Sequence, residues 1–177
     1  MKYILTVLLV LVGNLTFAHQ IDLSTAIFSK TDDGKIVMQL TSSLTAFRSE
    51  VRYHNSEDAY KTPEEFQQLV IDHFNKTFSM TINGETELKF INPIVLLGHE
   101  TKLVAEVTGV PENINSVELK NEFFKDINNN QTVIIFSLAG FPANQNFVLN
   151  NDNNQTLSVS LQHDKWTEIT AVAVASS

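Results

Sequence analysis

Five histidines, at positions 19, 54, 73, 99 and 163, are the side chains in this sequence best suited to bind a metal or move a proton. No two of them form a His-x-His or an i, i+4 pair, which excludes a sequence-local zinc site. Any metal centre must therefore be assembled by the fold. His19 holds a special place because it follows Phe17-Ala18. A cut after Ala18 would make it the first residue, and an α-amine beside an imidazole chelates one ion. A nitrogen-rich site of that kind favours Cu²⁺ over most competitors. It needs at least one further nitrogen. The metal set expected from the sequence is His19 with His99, and His54 and His163 are further candidates. Copper is the one cofactor that this pattern suggests. His73 falls on the apolar stripe of a helix and reads as a helix-face residue with a satisfied ring nitrogen. His99-Glu100 falls in a turn, where the carboxylate could orient the ring or simply be solvated.

Other chemistries lack their parts. The chain has no cysteine, so disulfides, thiolate metal sites and a cysteine nucleophile are excluded. There is no G-x-S-x-G and no H-E-x-x-H, and the six glycines are too dispersed to make a phosphate-cradling loop. The pairs Glu57-Asp58 and Glu64-Glu65 offer carboxylates for acid–base work, but on an acidic chain they read as solvated faces and helix-start charges. No catalytic residue is assigned. With 12 Lys+Arg against 20 Asp+Glu and a net charge of −8, the chain also lacks the basic stripe that nucleic-acid binding needs.

The first residues have the layout of an export signal. Lys2 gives a positive start, Ile4 to Val12 is an almost continuous apolar run, and Thr16-Phe17-Ala18 places small residues at the −3 and −1 positions of a cleavage site. The run is shorter than the roughly 20 residues that span a bilayer as a helix. Residues 1–18 are therefore expected to be a leader, and no later stretch reads as a transmembrane segment. The mature chain would carry 11 Lys+Arg, the 12 of the whole less Lys2, against 20 acids. Its expected location is the periplasm or the extracellular space.

The mature part is long enough for one domain with its own core and too short for two. Its pattern is short period-two strands between turn signals. Ile21 to Phe28 and Ile36 to Thr41 flank Asp33-Gly34 as a hairpin, and Phe78 to Ile82 leads into Asn83-Gly84. Thr132 to Leu138 is apolar on both faces and reads as a strand buried on both sides. One helix stands out. Thr62 is an N-cap, Pro63 sits at N1, Glu65 completes a capping box, and Phe66, Leu69, Val70, His73 and Phe74 form a stripe. Leu44, Phe47 and Val51 suggest one or two loose helical turns. The expected fold is mainly β: an immunoglobulin-like antiparallel β-sandwich of about eight or nine strands, with one inserted helix over about 63–75. The domain is expected over residues 19–162, with 163–177 as a tail.

This layout resembles a family of small exported bacterial envelope proteins of unknown function. The likeness is carried by the Ala18-His19 junction, the strand hairpin after it, a helix before Met80-Thr81-Ile82-Asn83-Gly84-Glu85, Gly98-His99-Glu100, and the stretch from Glu118 to Asp126 before Asn130-Gln131-Thr132. The resemblance implies a location and a fold, and no residue inherits a role from it. The Ala-His start is also similar to exported domains associated with metal permeases, which would favour metal binding; the membrane helices that usually follow there are missing from this chain. The expected function is that of an exported non-catalytic protein that binds a partner or stabilises an envelope assembly. The alternatives are copper binding or delivery through His19, and a hydrolase built from sequence-distant residues.

Overall fold

The computed structural model describes residues 23–56, 58–143 and 145–169. The expected leader and His19 lie outside them. Eleven strands follow one another as β1 (Leu23–Lys30), β2 (Ile36–Ser43), β3 (Phe78–Ile82), β4 (Thr86–Glu87), β5 (Lys89–Leu96), β6 (Glu100–Thr108), β7 (Ser116–Asn121), β8 (Gln131–Ser137), β9 (Asn146–Leu149), β10 (Thr156–Gln162) and β11 (Lys165–Glu168). Two helices, α1 (Leu44–His54) and α2 (Pro63–Thr77), lie between β2 and β3. The strands form a β-sandwich. One sheet has six strands in the order β5-β6-β2-β1-β8-β9, and the other has five in the order β11-β10-β7-β3-β4.

Period-two alternation makes the core. Ala26, Phe28, Met38, Leu40, Leu103, Ala105, Ile134 and Phe136 point inward from the larger sheet, while Met80, Ile82, Val117, Leu119, Leu157 and Val159 point inward from the smaller. Aromatic rings join the layers: Phe28 stacks on Phe136 at 5.1 Å and approaches Phe78 of the facing sheet at 6.4 Å. A buried polar link also crosses the layers. The hydroxyls of Ser24 and Thr132 share a hydrogen bond of 2.7 Å, and Asn121 Nδ2 donates to Thr132 Oγ1 at 3.2 Å. Fully satisfied links of this kind fix the register of the packed faces.

The local signals in the sequence act as physics requires. In α2, Thr62 Oγ1 accepts from Glu65 N, and Glu65 Oε2 accepts from Thr62 N, so two otherwise unpartnered helix-end donors are satisfied reciprocally. Asn83 and Gly84 both take positive φ, 56° and 71°, which suits a right-twisted hairpin. Pro93 lies in β5, an edge strand whose register shifts between Ile91 and Ile94.

The structure departs from expectation at four places. The loose turns at Leu44 become a full helix, α1, capped by Ser43 Oγ, which accepts from Ala46 N at 3.0 Å. One pairing, β1 with β8, is parallel. The expected tail contains β11, because Lys165 to Glu168 pairs with β10 and puts half-buried Trp166 against the core. Finally, β8 is buried on one face only: Thr132, Ile134 and Phe136 are inside, while Val133 and Ile135 remain half-exposed on the outer face. Its apolar outer positions have no second layer over them among the described residues.

Candidate functional site

The two helices pack side by side against one end of the larger sheet, with α2 lying over β5. On α1 the buried stripe runs Ala46, Phe47, Glu50 and Val51, at i and i+4 spacing, and His54 continues it one turn beyond Glu50. A carboxylate thus occupies a position where the helix pattern demands an apolar side chain. On α2 the stripe is Phe66, Val70, His73 and Phe74. Where the stripes meet, Glu50, His54 and His73 bring one ligand atom each within 4.8 Å of one another.

The turn after β7 closes the group. Phe123 and Phe124 pack their rings on Phe47 at 5.3 and 5.1 Å, and Glu122 N donates to Thr77 O. This anchoring brings Asp126 to His54, with Oδ2 and Nε2 2.9 Å apart. His54 Nε2 is also 3.5 Å from Glu50 Oε1, and His73 Nε2 is 3.6 Å from the same oxygen. The two imidazole rings lie 4.6 Å apart, tilted by 32°. His73 Nε2 donates to the Phe123 carbonyl at 3.0 Å, so the satisfied ring nitrogen expected for this residue is present. Glu50 is completely buried, and neither of its carboxylate oxygens accepts a hydrogen bond. A carboxylate out of water without donors is costly unless a cation answers it.

Of the four histidines expected to ligate, only His54 enters this cluster. His99 is exposed in the turn between β5 and β6, where its carbonyl accepts from Leu44 N, and His163 is exposed at positive φ between β10 and β11. Neither joins a group of three potential ligands among the described residues. His19 lies outside the described residues. Sequence reasoning missed Glu50 and His73 as partners of His54. One signal was available: Glu50 and His54 stand at i, i+4 on a helix face, the spacing at which two side chains can grip one ion.

Two further features are open to partners. A cleft of about 700 Å³ lies between the loops at Asn113 and Phe141 and the β10–β11 hairpin, with Trp166 on its wall. The second feature is the outer face of the larger sheet. Register places Ile94, Val104, Gln39, Ile27 and Ile135 in one row across five strands. The adjacent row runs from Leu96 through Lys102, Thr41 and Thr25 to Val133 and Val148, so its ends are apolar and its middle is polar. The smaller sheet differs. Its outer positions are Ser79 and Thr81, then Ser116, Glu118 and Lys120, then Thr156, Ser158 and Ser160. Among the described residues, no helix is long and apolar enough to cross a membrane. Compared with known proteins, the chain matches no family model and no curated protein.

Proposed function

We propose that this chain is an exported, non-catalytic β-sandwich protein that holds a protein partner in the envelope through the outer face of its larger sheet. One observation carries the reading: the outer face of the larger sheet carries apolar side chains on every strand, and that of the smaller sheet is polar. The smaller sheet turns Ser, Thr, Glu and Lys to solvent, as a sheet with one wet face does. The larger sheet turns half-exposed Ile27, Val104, Val133 and Ile135 outward among Gln39, Thr41 and Lys102, with Ile94 and Leu96 exposed at its edge. Apolar side chains gathered on one sheet face, even with polar ones between them, make it the better candidate for an interaction surface than the wholly polar face opposite. Export is supported by Lys2, the apolar run from Ile4 to Val12, and the small residues at Thr16 and Ala18.

The test is site-specific crosslinking in intact cells. A photoreactive residue at Ile135 should give an adduct with another envelope protein, and the same residue at Ser158, on the polar face, should give none. Equal labelling from both sites, no adduct from Ile135, or an adduct only with a second copy of the chain would overturn the proposal. The N-terminal residue of the protein recovered from the same cells tests export: it should be His19.

A further inference from the structure

We infer that Glu50, His54 and His73, with Asp126 standing beside His54, form a binding site for one divalent transition-metal ion of the zinc class. The two helices contribute two imidazole nitrogens and one carboxylate oxygen, a donor set of borderline softness that suits Zn²⁺ with a water in the fourth position, and the turn after β7 sets the Asp126 carboxylate beside them. The spacing fits. Ligands held at 2.0–2.1 Å in a tetrahedron stand about 3.3–3.4 Å from one another. The separations from Glu50 Oε1 to the Nε2 atoms of His54 and His73 are 3.5 and 3.6 Å. Asp126 Oδ2 is 2.9 Å from His54 Nε2, a hydrogen-bond distance.

Burial and charge point the same way. Glu50 is fully buried with both oxygens lacking a donor, and it faces two rings that each present Nε2 toward it. The Glu50 carboxylate on the ion and the Asp126 carboxylate beside His54 together balance the charge of a dication, the arrangement a buried position tolerates best. Coordination through Nε2 requires each ring to carry its proton on Nδ1, so His73 gives up its bond to the Phe123 carbonyl when the ion enters. His54 is the exposed member and provides the way in. The site is distinct from the chelate expected at His19 and shares no residue with the outer sheet face.

Calorimetry tests this directly. The probe is Zn²⁺, titrated at pH 7.5 into chelator-treated protein that keeps one extra residue ahead of His19, so that no amine–imidazole chelate forms there. One ion should bind per chain, and Co²⁺ in its place should give the intense visible bands of a four-coordinate site. Glu50→Gln preserves side-chain shape and His54→Ala changes an exposed residue, so both variants keep the fold. Each should weaken binding by about tenfold or more, while His163→Ala leaves the isotherm unchanged. Absence of saturable binding, binding unaltered in Glu50→Gln and His54→Ala, or an equal loss in His163→Ala would overturn the inference.

Discussion

His73 Nε2 stands 3.6 Å from Glu50 Oε1 across the seam between two helices, and the Glu50 carboxylate has no hydrogen-bond donor. A buried carboxyl group so placed is a cost to the metal-free fold, because its desolvation is not offset by hydrogen bonds. Glu50→Gln should therefore raise the stability of chelator-treated protein at pH 8 by about 1–2 kcal/mol, the reverse of the usual result for a core residue. Excess Zn²⁺ should invert the order, since an ion held at 100 times its Kd adds about 2.7 kcal/mol to the wild type. Urea denaturation with and without the ion measures both. A wild type that remains the more stable form in chelator would show that Glu50 is already compensated.

Ile134 and Ile135 are neighbours on β8 with opposite fates. Ile134 is buried in the core, and Ile135 is half-exposed on the outer face. Ile134→Ala should cost about 2–5 kcal/mol through lost burial and the cavity left behind. Ile135→Ala should cost about 1 kcal/mol or less in the isolated protein, yet reduce partner capture. Equal destabilisation by the two would mean that the outer face is covered within the chain itself.

What was legible in the sequence was local. Thr62, Pro63 and Glu65 announced α2 because a capping box is written in four residues, and Asn83-Gly84 announced a hairpin because positive φ favours those side chains. The alternation of β1, β2 and β3 gave the sandwich. The candidate site was not legible in this way. Glu50 and His73 are on different helices, and Asp126 is 72 residues from His54, so only packing unites them. Helix α1 was underestimated because its stripe carries a buried glutamate where a leucine would have signalled it. Strand β8 misled because apolar residues on both faces imply two covering layers, and among the described residues the fold supplies one.

The cap of α2 should be measurable in isolation. Removing the Thr62 hydroxyl by Thr62→Ala leaves Glu65 N without its acceptor and should cost about 1 kcal/mol. Glu65→Ala removes the reciprocal bond to Thr62 N and a further one to Lys61 N at 2.6 Å. The two bonds form one closed motif, so the double variant should lose less than the sum of the single losses. Chemical denaturation of the three variants closes the cycle, and strict additivity would show the two bonds to be independent.

The first hairpin gives a pH signature. Thr31 Oγ1 donates to Asp33, which holds that carboxyl below its ordinary 3.8. The folded value lies below the unfolded one, so the contribution of this carboxylate is full above the unfolded value and is lost as pH falls through the folded value. Thr31→Val removes the donor and should return Asp33 toward 3.8. The carboxyl-carbon shift of Asp33, followed by NMR from neutral to acid pH, reads this, and a midpoint unchanged by Thr31→Val would refute the cause assigned.

Asn83 does more than turn the chain. Its Oδ1 accepts from Asn115 N at 2.8 Å and from Ser116 N at 3.2 Å, and its Nδ2 donates to the Asn113 carbonyl at 2.9 Å. The side chain thereby ties the hairpin after β3 to the loop that enters β7, and its backbone sits at φ 56°. Two effects can then be separated by substitution. Asn83→Gly keeps the left-handed conformation but loses three hydrogen bonds, and should cost about 1–2 kcal/mol. Asn83→Ala loses the same bonds and adds about 1 kcal/mol for a Cβ at positive φ. Alanine should thus be the worse replacement in thermal or urea unfolding, although it is the better residue in most other settings; if glycine proves as damaging as alanine, the backbone conformation contributes nothing and the side-chain bonds carry the whole effect.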